Sequence, residues 1–490
     1  MPEIVLTILL VIVSLAVAVV LARTFSFARP PAPVEPAEGV EVMTAAVAEH
    51  LSELIRCETV SVGGDHPPRG EAFLELHRAL EKMYPRVHAS LQRRVINDYS
   101  LLYTWPGTRP DLQPILLMAH QDVVPADPAT LPEWEHAPFD GQVSDGYIWG
   151  RGALDVKNQL VAIMEAVESL LNAGFPPQRT VYLGFGHDEE IGGNQGARQI
   201  SAWLQKQEIR LEAVLDEGGS LVKGLLPGIE VPVALVGNVE KGYLTLDLTV
   251  TGTPGHSSTP PPQTAIGVLA QALARLEANP MPAHVEMIQP LFQGVGTAAP
   301  FVNRMAIANL WLFGGIVRRM LEAKQETNAT IRTTTAVTVI SGGVKDNILP
   351  REAKASVNFR LLPGDRIEDV ITHVRRVIDD ERVQIRQKEG FGSGSSPLSP
   401  TDTPAYQNLA CTIRQVFGDV AVAPYLVLGA TDARHYAPIC DHVYRFSPVL
   451  MMPEDLDRVH GINERIGVED MAQMVKFFGQ LIQVWGSETL

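Results

Sequence analysis

Histidines and carboxylates recur in this chain at five places, most of them where short apolar runs end, and together they could build a metal centre. His120-Gln121-Asp122 closes the run 114–119. An imidazole two residues from a carboxylate is either a ligand beside its orienting partner or a satisfied loop pair, and the pair alone does not decide. Asp155, in Gly150-Arg151-Gly152-Ala153-Leu154-Asp155, stands where a helix should begin, so a helix N-cap competes with metal ligation there. His187-Asp188-Glu189-Glu190 is different, because three adjacent acids after an apolar strand repel one another unless solvent or a cation compensates. A cation is the economical explanation. Asp216-Glu217 repeats the theme, with a solvated acidic turn as the alternative, and His460, in Val459-His460-Gly461-Ile462-Asn463-Glu464, is an ordinary loop histidine unless it joins the others. Imidazoles and carboxylates from separate segments suit zinc, in number enough for two ions sharing a bridging carboxylate. Manganese or cobalt would also fit.

For these groups to meet, their segments must be neighbours. Residues 114–119, 180–185 and 211–215 are continuous apolar runs, as expected of strands buried on both faces. Between the first two, Leu160, Ile163, Met164, Val167, Leu170 and Leu171 recur at helical steps, and Gly174 terminates them. Strand, helix, strand predicts an α/β domain, and open α/β sheets place their sites beyond the carboxyl ends of the strands. From Tyr243 the texture changes to alternation: Leu244, Leu246, Leu248 and Val250, then Ala353, Ala355, Val357, Phe359 and Leu361. With the amphipathic stretch Ile266, Leu269, Ala270, Leu273 and Leu276, this predicts a small α+β domain at 241–362, inserted between catalytic parts 41–240 and 363–490. Residues 390–397, rich in Gly and Ser, read as a flexible loop.

A chain of 490 residues exceeds one ordinary core, in keeping with two domains. A net charge of −16 leaves no basic stripe for phosphates, so no nucleic-acid partner is expected. Cys57, Cys411 and Cys440 form neither a disulfide framework nor a Cys-x-x-Cys zinc site. Residues 4–22 are apolar apart from Thr7 and Ser14, enough to cross a bilayer, which predicts a transmembrane anchor within 1–24. A cleaved signal peptide with Ala16-Val17-Ala18 as processing site is the rival, though no Lys or Arg precedes the apolar run. The proline-rich stretch 25–40 should be a spacer that holds the globular part off the membrane, and Arg23 and Arg29 would keep that part cytoplasmic by the positive-inside rule.

In this order, the motifs resemble those of the co-catalytic zinc metallopeptidase family that includes aminoacylase-1, bacterial glutamate carboxypeptidase and succinyl-diaminopimelate desuccinylase. Residues 119–125, 149–155, 188–190, 255–257 and 460–464 look closest to its carboxypeptidase S (Gly-X carboxypeptidase) and N-fatty-acyl-amino-acid hydrolase branch. The resemblance implies a mixed, largely parallel sheet flanked by helices, with the insert as a lid and dimerisation domain. It implies Asp155 as ligand to both zinc ions, His120 and Asp216 completing one site, and Glu190 and His460 the other. Glu189 would be the general base toward a metal-bridging hydroxide, and Asp122 would orient His120. It further implies a homodimer in which His256 reaches the partner subunit's site to stabilise an oxyanion, while Asn347 and Arg434 contact substrate, Arg434 at its carboxylate. Without the resemblance these last three read as a loop histidine, a turn asparagine and a surface arginine. The expected activity is cleavage of an amide or peptide bond next to a free carboxylate, in a small peptide or an N-acyl amino acid. The alternative is an inactive metal- or peptide-binding homologue. One departure is Val156, where many relatives carry a second acid, whereas the enlargement of the insert over 279–330 is again similar to the carboxypeptidase S branch. The branch works in lumenal or extracellular space, so an extracytoplasmic catalytic domain is expected against the vote of the two arginines.

Overall fold

The computed structural model describes residues 2–488 apart from 29, 31, 64–67 and 227. Arg29, one of the two arginines behind the apolar segment, lies outside the described residues. The apolar runs form the centre of a mixed sheet. Ile115–His120, Val181–Gly186 and Ala213–Asp216 are buried at every residue. They lie side by side in parallel, with Ile115 opposite both Val181 and Ala213, and Val443–Arg445 continues the parallel set beside Ala213–Asp216. An antiparallel pair, Gln92–Ile96 and Ser100–Trp105, closes one edge, while Val233–Glu240, flanked by Ala421–Val427 and Leu221–Val222, extends the other. Helices Thr44–Arg56, Lys157–Asn172 and Val468–Trp485 cover one face and Ala197–Lys206 the other, each through its buried apolar stripe.

The insert is a separate antiparallel sheet, in the order Thr334–Gly342, Glu352–Leu361, Gly242–Thr251, Val383–Ser393. Its alternating residues Leu244, Leu246, Leu248, Val357 and Phe359 pack on helices Ala265–Ala278 and Ile367–Ile378. The insert therefore does not end at residue 362. Val370, Val374 and Ile378 find their apolar partners on this face, and the strand Val383–Ser393 runs into the glycine-rich stretch expected to be a loop. The chain rejoins the large sheet only where Ser396 and Ser399 donate their backbone N–H to the carbonyls of Glu240 and Asn238. A single buried residue, Lys241, separates strand Val233–Glu240 from the insert's Gly242–Thr251.

The enlargement after residue 279 is helical and leaves the insert's sheet. Helix Gln289–Val295 packs on strand Ala421–Val427, where a Cβ on Gly294 would lie 2.5 Å from the Ala423 Cα, so only glycine permits the approach. Helices Phe301–Ala308 and Leu310–Glu322 follow. The N-terminal segment is one helix, Pro2–Phe27, whose last turns are built into this region. Asn309 Nδ2 donates to the Val20 carbonyl and to Thr24 Oγ1, and Arg23 Nε donates to the Ala308 carbonyl. The expected spacer does not hold the domain away either. It folds back along helix Pro404–Phe417, with Arg414 donating to the Ala32 carbonyl and Ala37 to that of Gln415. Phe359 is fully buried in the insert's core, so Phe359→Ala should lower stability by about 3–5 kcal/mol, read as a lower urea midpoint.

Candidate metal centre

Because the central strands are parallel and in register, their carboxyl ends deliver side chains to one edge. His120 ends the middle strand, the Glu189–Ile191 turn follows Val181–Gly186, and Glu217 follows Ala213–Asp216. His120 Nε2 lies 3.0 Å from Asp155 Oδ1 and 3.2 Å from Glu217 Oε1. His460 Nε2 lies 3.0 Å from Asp155 Oδ2 and 3.2 Å from Glu190 Oε2. Each oxygen of Asp155 thus faces a different imidazole. The N-cap role considered for Asp155 is not taken, since helix Lys157–Asn172 starts behind Val156 with no side-chain cap.

Buried polar groups set these orientations. His120 Nδ1 is 2.9 Å from the Asp122 carbonyl, which turns Nε2 toward the carboxylates. The Asp122 carboxylate accepts the backbone N–H of Glu189 and of Glu190, fixing the acidic turn. Asp188, the third acid there, points away and accepts from Gln195 and Gly196. The Asp155 and His460 loops are tied by a pair that the sequence did not suggest. Arg151 Nη1 donates to Glu464 Oε2 at 2.7 Å, both side chains being buried. Glu464 Oε1 accepts the N–H groups of Gly152, Leu154 and Asp155, while Arg151 Nη2 donates to the carbonyls of His460 and Gly461. His460 has φ +61°, a left-handed conformation rare outside glycine and held by these contacts.

One expected ligand is displaced. Asp216 does not meet His120; it is buried on the face shared with Met118 and Val214, close to Arg445 and Glu240. Its neighbour Glu217, past the strand end, is the carboxylate at His120. Successive strand side chains alternate faces, so a one-residue difference exchanges the centre for the core behind it.

The electrostatics describe a cluster short of positive charge. Burial, then repulsion from Asp155, pushes Glu217 up to about 8, and burial foremost lifts Glu189 well above the usual carboxylate range. Hydrogen bonds to Asp155 and Glu190 raise His460 to about 10. Asp155 is driven the other way: burial opposes its charge, but the two imidazoles hold it well below the ordinary range. Glu190 Oε1 is buried with no hydrogen-bond partner among the described residues. Candidate ligand atoms of His120, Asp155 and Glu190 lie within 4.8 Å of one another, as do those of His120, Glu189 and Glu217. Such a set of imidazole nitrogens and carboxylate oxygens fits divalent metal.

His256, Asn347 and Arg434 are not all brought to this cluster. His256 is exposed on the small ribbon Gly255–His256 with Ile348–Leu349, and the Asn347 carbonyl there accepts the Ser257 N–H. Arg434 lies at the edge of the site, where its Nη2 donates to the Gly192 carbonyl at 2.8 Å, just after the acidic turn.

A mixed α/β sheet with an inserted domain, carrying histidines and carboxylates beyond its parallel strand ends, is the scaffold of a metal-binding site. Residues 116–484 match peptidase family M20/M25/M40, and the chain belongs to that family. It is 44% identical over 445 residues to the N-fatty-acyl-amino acid synthase/hydrolase PM20D1 of Xenopus tropicalis, covering 89% of this chain and 85% of that protein. Carboxypeptidase S of Saccharomyces cerevisiae is 31% identical over 485 residues, with 89% and 83% covered. The M20 family metallo-carboxypeptidase Sso-CP2 of Sulfolobus solfataricus shares the fold, with a TM-score of 0.65 at 19% identity over 90% of this chain and 99% of that one. The family and branch resembled by the motifs are therefore those found, and the chain is an enzyme of the metallopeptidase and amidohydrolase class. If Glu217 rather than Asp216 is the ligand, Glu217→Ala should lose metal on dialysis and Asp216→Asn should retain it, as counted by elemental analysis.

Proposed function

We propose that this enzyme is a two-zinc amidohydrolase that cleaves an amide bond beside a free carboxylate, in a dipeptide or an N-acyl amino acid. The observation that carries this reading is Asp155 with one oxygen turned to each imidazole, the arrangement a carboxylate shared by two ions requires. His120 and Glu217 would complete one site and His460 and Glu190 the other. When bound, zinc ions in such a set polarise a carbonyl and acidify water toward a pKa of about 7.

Glu189 is the proton carrier. Its carboxylate sits among the ligands and its backbone is pinned by Asp122, so it takes a proton from the attacking water and returns it to the leaving amine. Arg434 holds the substrate carboxylate. It makes no ion pair to an acid among the described residues, and it lies near Arg360, whose charge is disfavoured first by burial and then by Arg434, which suits an anion beside the two guanidinium groups. His256 and Asn347, exposed together on the insert, would complete the site of a second copy, with His256 at the developing oxyanion. The PM20D1 relatives and carboxypeptidase S support both substrate kinds for this branch. The N-terminal helix is read as a retained anchor because its last turns are hydrogen-bonded into the folded domain, and the branch resemblance supports a catalytic part outside the cytoplasm.

Glu189→Gln should reduce turnover of N-acyl amino acids by about 10²–10⁴-fold, with metal content unchanged. Arg434→Met should lower kcat/KM by roughly ten- to hundredfold for substrates with a free carboxylate, from loss of a charge-assisted bond. The same variant should leave hydrolysis of their methyl esters at the wild-type rate.

A further inference from the structure

Helix Leu310–Glu322 is apolar on two faces. Leu310, Phe313, Val317 and Leu321 point inward, into a small core shared with Ile288, Ile307 and Phe27. On the opposite face Trp311, Leu312, Ile316 and Met320 stand at helical spacing and are 59%, 52%, 61% and 69% exposed, with Val302 of the preceding helix 65% exposed. Isolated apolar residues on a surface are ordinary, but a continuous row along one helix marks a surface with a partner.

We propose that this face is seated in the headgroup and upper acyl region of the bilayer crossed by the N-terminal helix; the inference rests on reading that helix as an anchor. Three observations select lipid as the occupant. First, the row is fastened to the apolar helix at the point where that helix leaves the domain: Asn309, the residue before the helix, bonds Val20 and Thr24, Ala308 accepts from Arg23, and Phe25 packs on Phe301 with ring centroids 5.8 Å apart. The exposed apolar stretch 4–19 that remains rises roughly 24 Å at 1.5 Å per residue, short of the roughly 30 Å hydrocarbon thickness of a bilayer, so a helix that crosses it brings its fastened last turns, and the row beside them, to the membrane interface. Secondly, Trp311 has an interfacial residue's character, its ring outward and its Nε1 satisfied by Asn309 Oδ1 at 3.3 Å, while exposed Arg23 and Arg319 flank the row with charges suited to lipid phosphates. Thirdly, the proline-rich stretch folds back on the domain instead of holding it away, so the row stays at membrane depth. A helix with one face on protein and the other on lipid is how interfacial helices lie.

The test uses the full chain in vesicles of phosphatidylcholine and phosphatidylglycerol, with a benzophenone amino acid placed at Leu312 or, in a parallel preparation, at Ile12 inside the apolar helix. On irradiation both positions should gain the mass of one lipid. A product of twice the chain mass from the Leu312 position, without lipid, would show that a second copy covers this face and would overturn the proposal. A lipid adduct at Ile12 with none at Leu312 would overturn it while leaving the anchor intact. Absence of a lipid adduct at both positions would remove the anchor reading and this inference with it.

Discussion

Four carboxylates and two imidazoles gathered at one end of a buried sheet constrain much of this molecule. Like charges in a poorly polarisable interior repel strongly, so Asp155, Glu189, Glu190 and Glu217 stay together only if positive charge is placed among them and their backbones cannot retreat. Parallel pairing in strict register supplies three of the four acids from adjacent strand ends or the turns beyond them. The other participants come from loops, and loops need fastening. Asp122 fastens the acidic turn, and Arg151 with Glu464 binds the Asp155 loop to the His460 loop across more than three hundred residues of sequence. That pair is buried, and a buried ion pair is chiefly a device for fixing geometry, since its desolvation consumes much of its attraction.

How much of this could be read from sequence follows from the range of each signal. Apolar runs and alternating rows announced both sheets because burial on one face or two is written within a few residues. His120, Asp155, Glu190 and His460 stood out since ligand-type residues after apolar strands are unusual in combination. Glu217 was hidden beside Asp216: either could end the strand, and only the paired register shows which one looks over the edge. Arg151 and Glu464 gave no local sign, because an arginine and a glutamate far apart in sequence are unremarkable until the fold buries them. The end of the insert is hidden in the sequence for a similar reason. Helix Ile367–Ile378 is plainly amphipathic, but periodicity does not say which sheet it covers.

The helical segment after residue 279 joins parts that the sequence presents as separate. It leans on the outer strand of the large sheet through Gly294, carries the N-terminal helix on Asn309 and Ala308, and receives the buried amine of Lys241 at the Arg332 carbonyl, 2.7 Å away. The apolar helix is therefore part of the folded body at its inner end and not a tether attached to it.

Lys241 gives this arrangement a mechanical meaning. The strand that leaves the large sheet at Glu240 re-enters as the insert's Gly242–Thr251 after that one residue, so a single β-ribbon runs through both domains. Such a connection transmits torque. The insert is joined there by one residue and not by a loose loop, and the strand it continues is the one that pairs with Ala421–Val427 and Val443–Arg445, in the sheet that aligns His120 with Glu217.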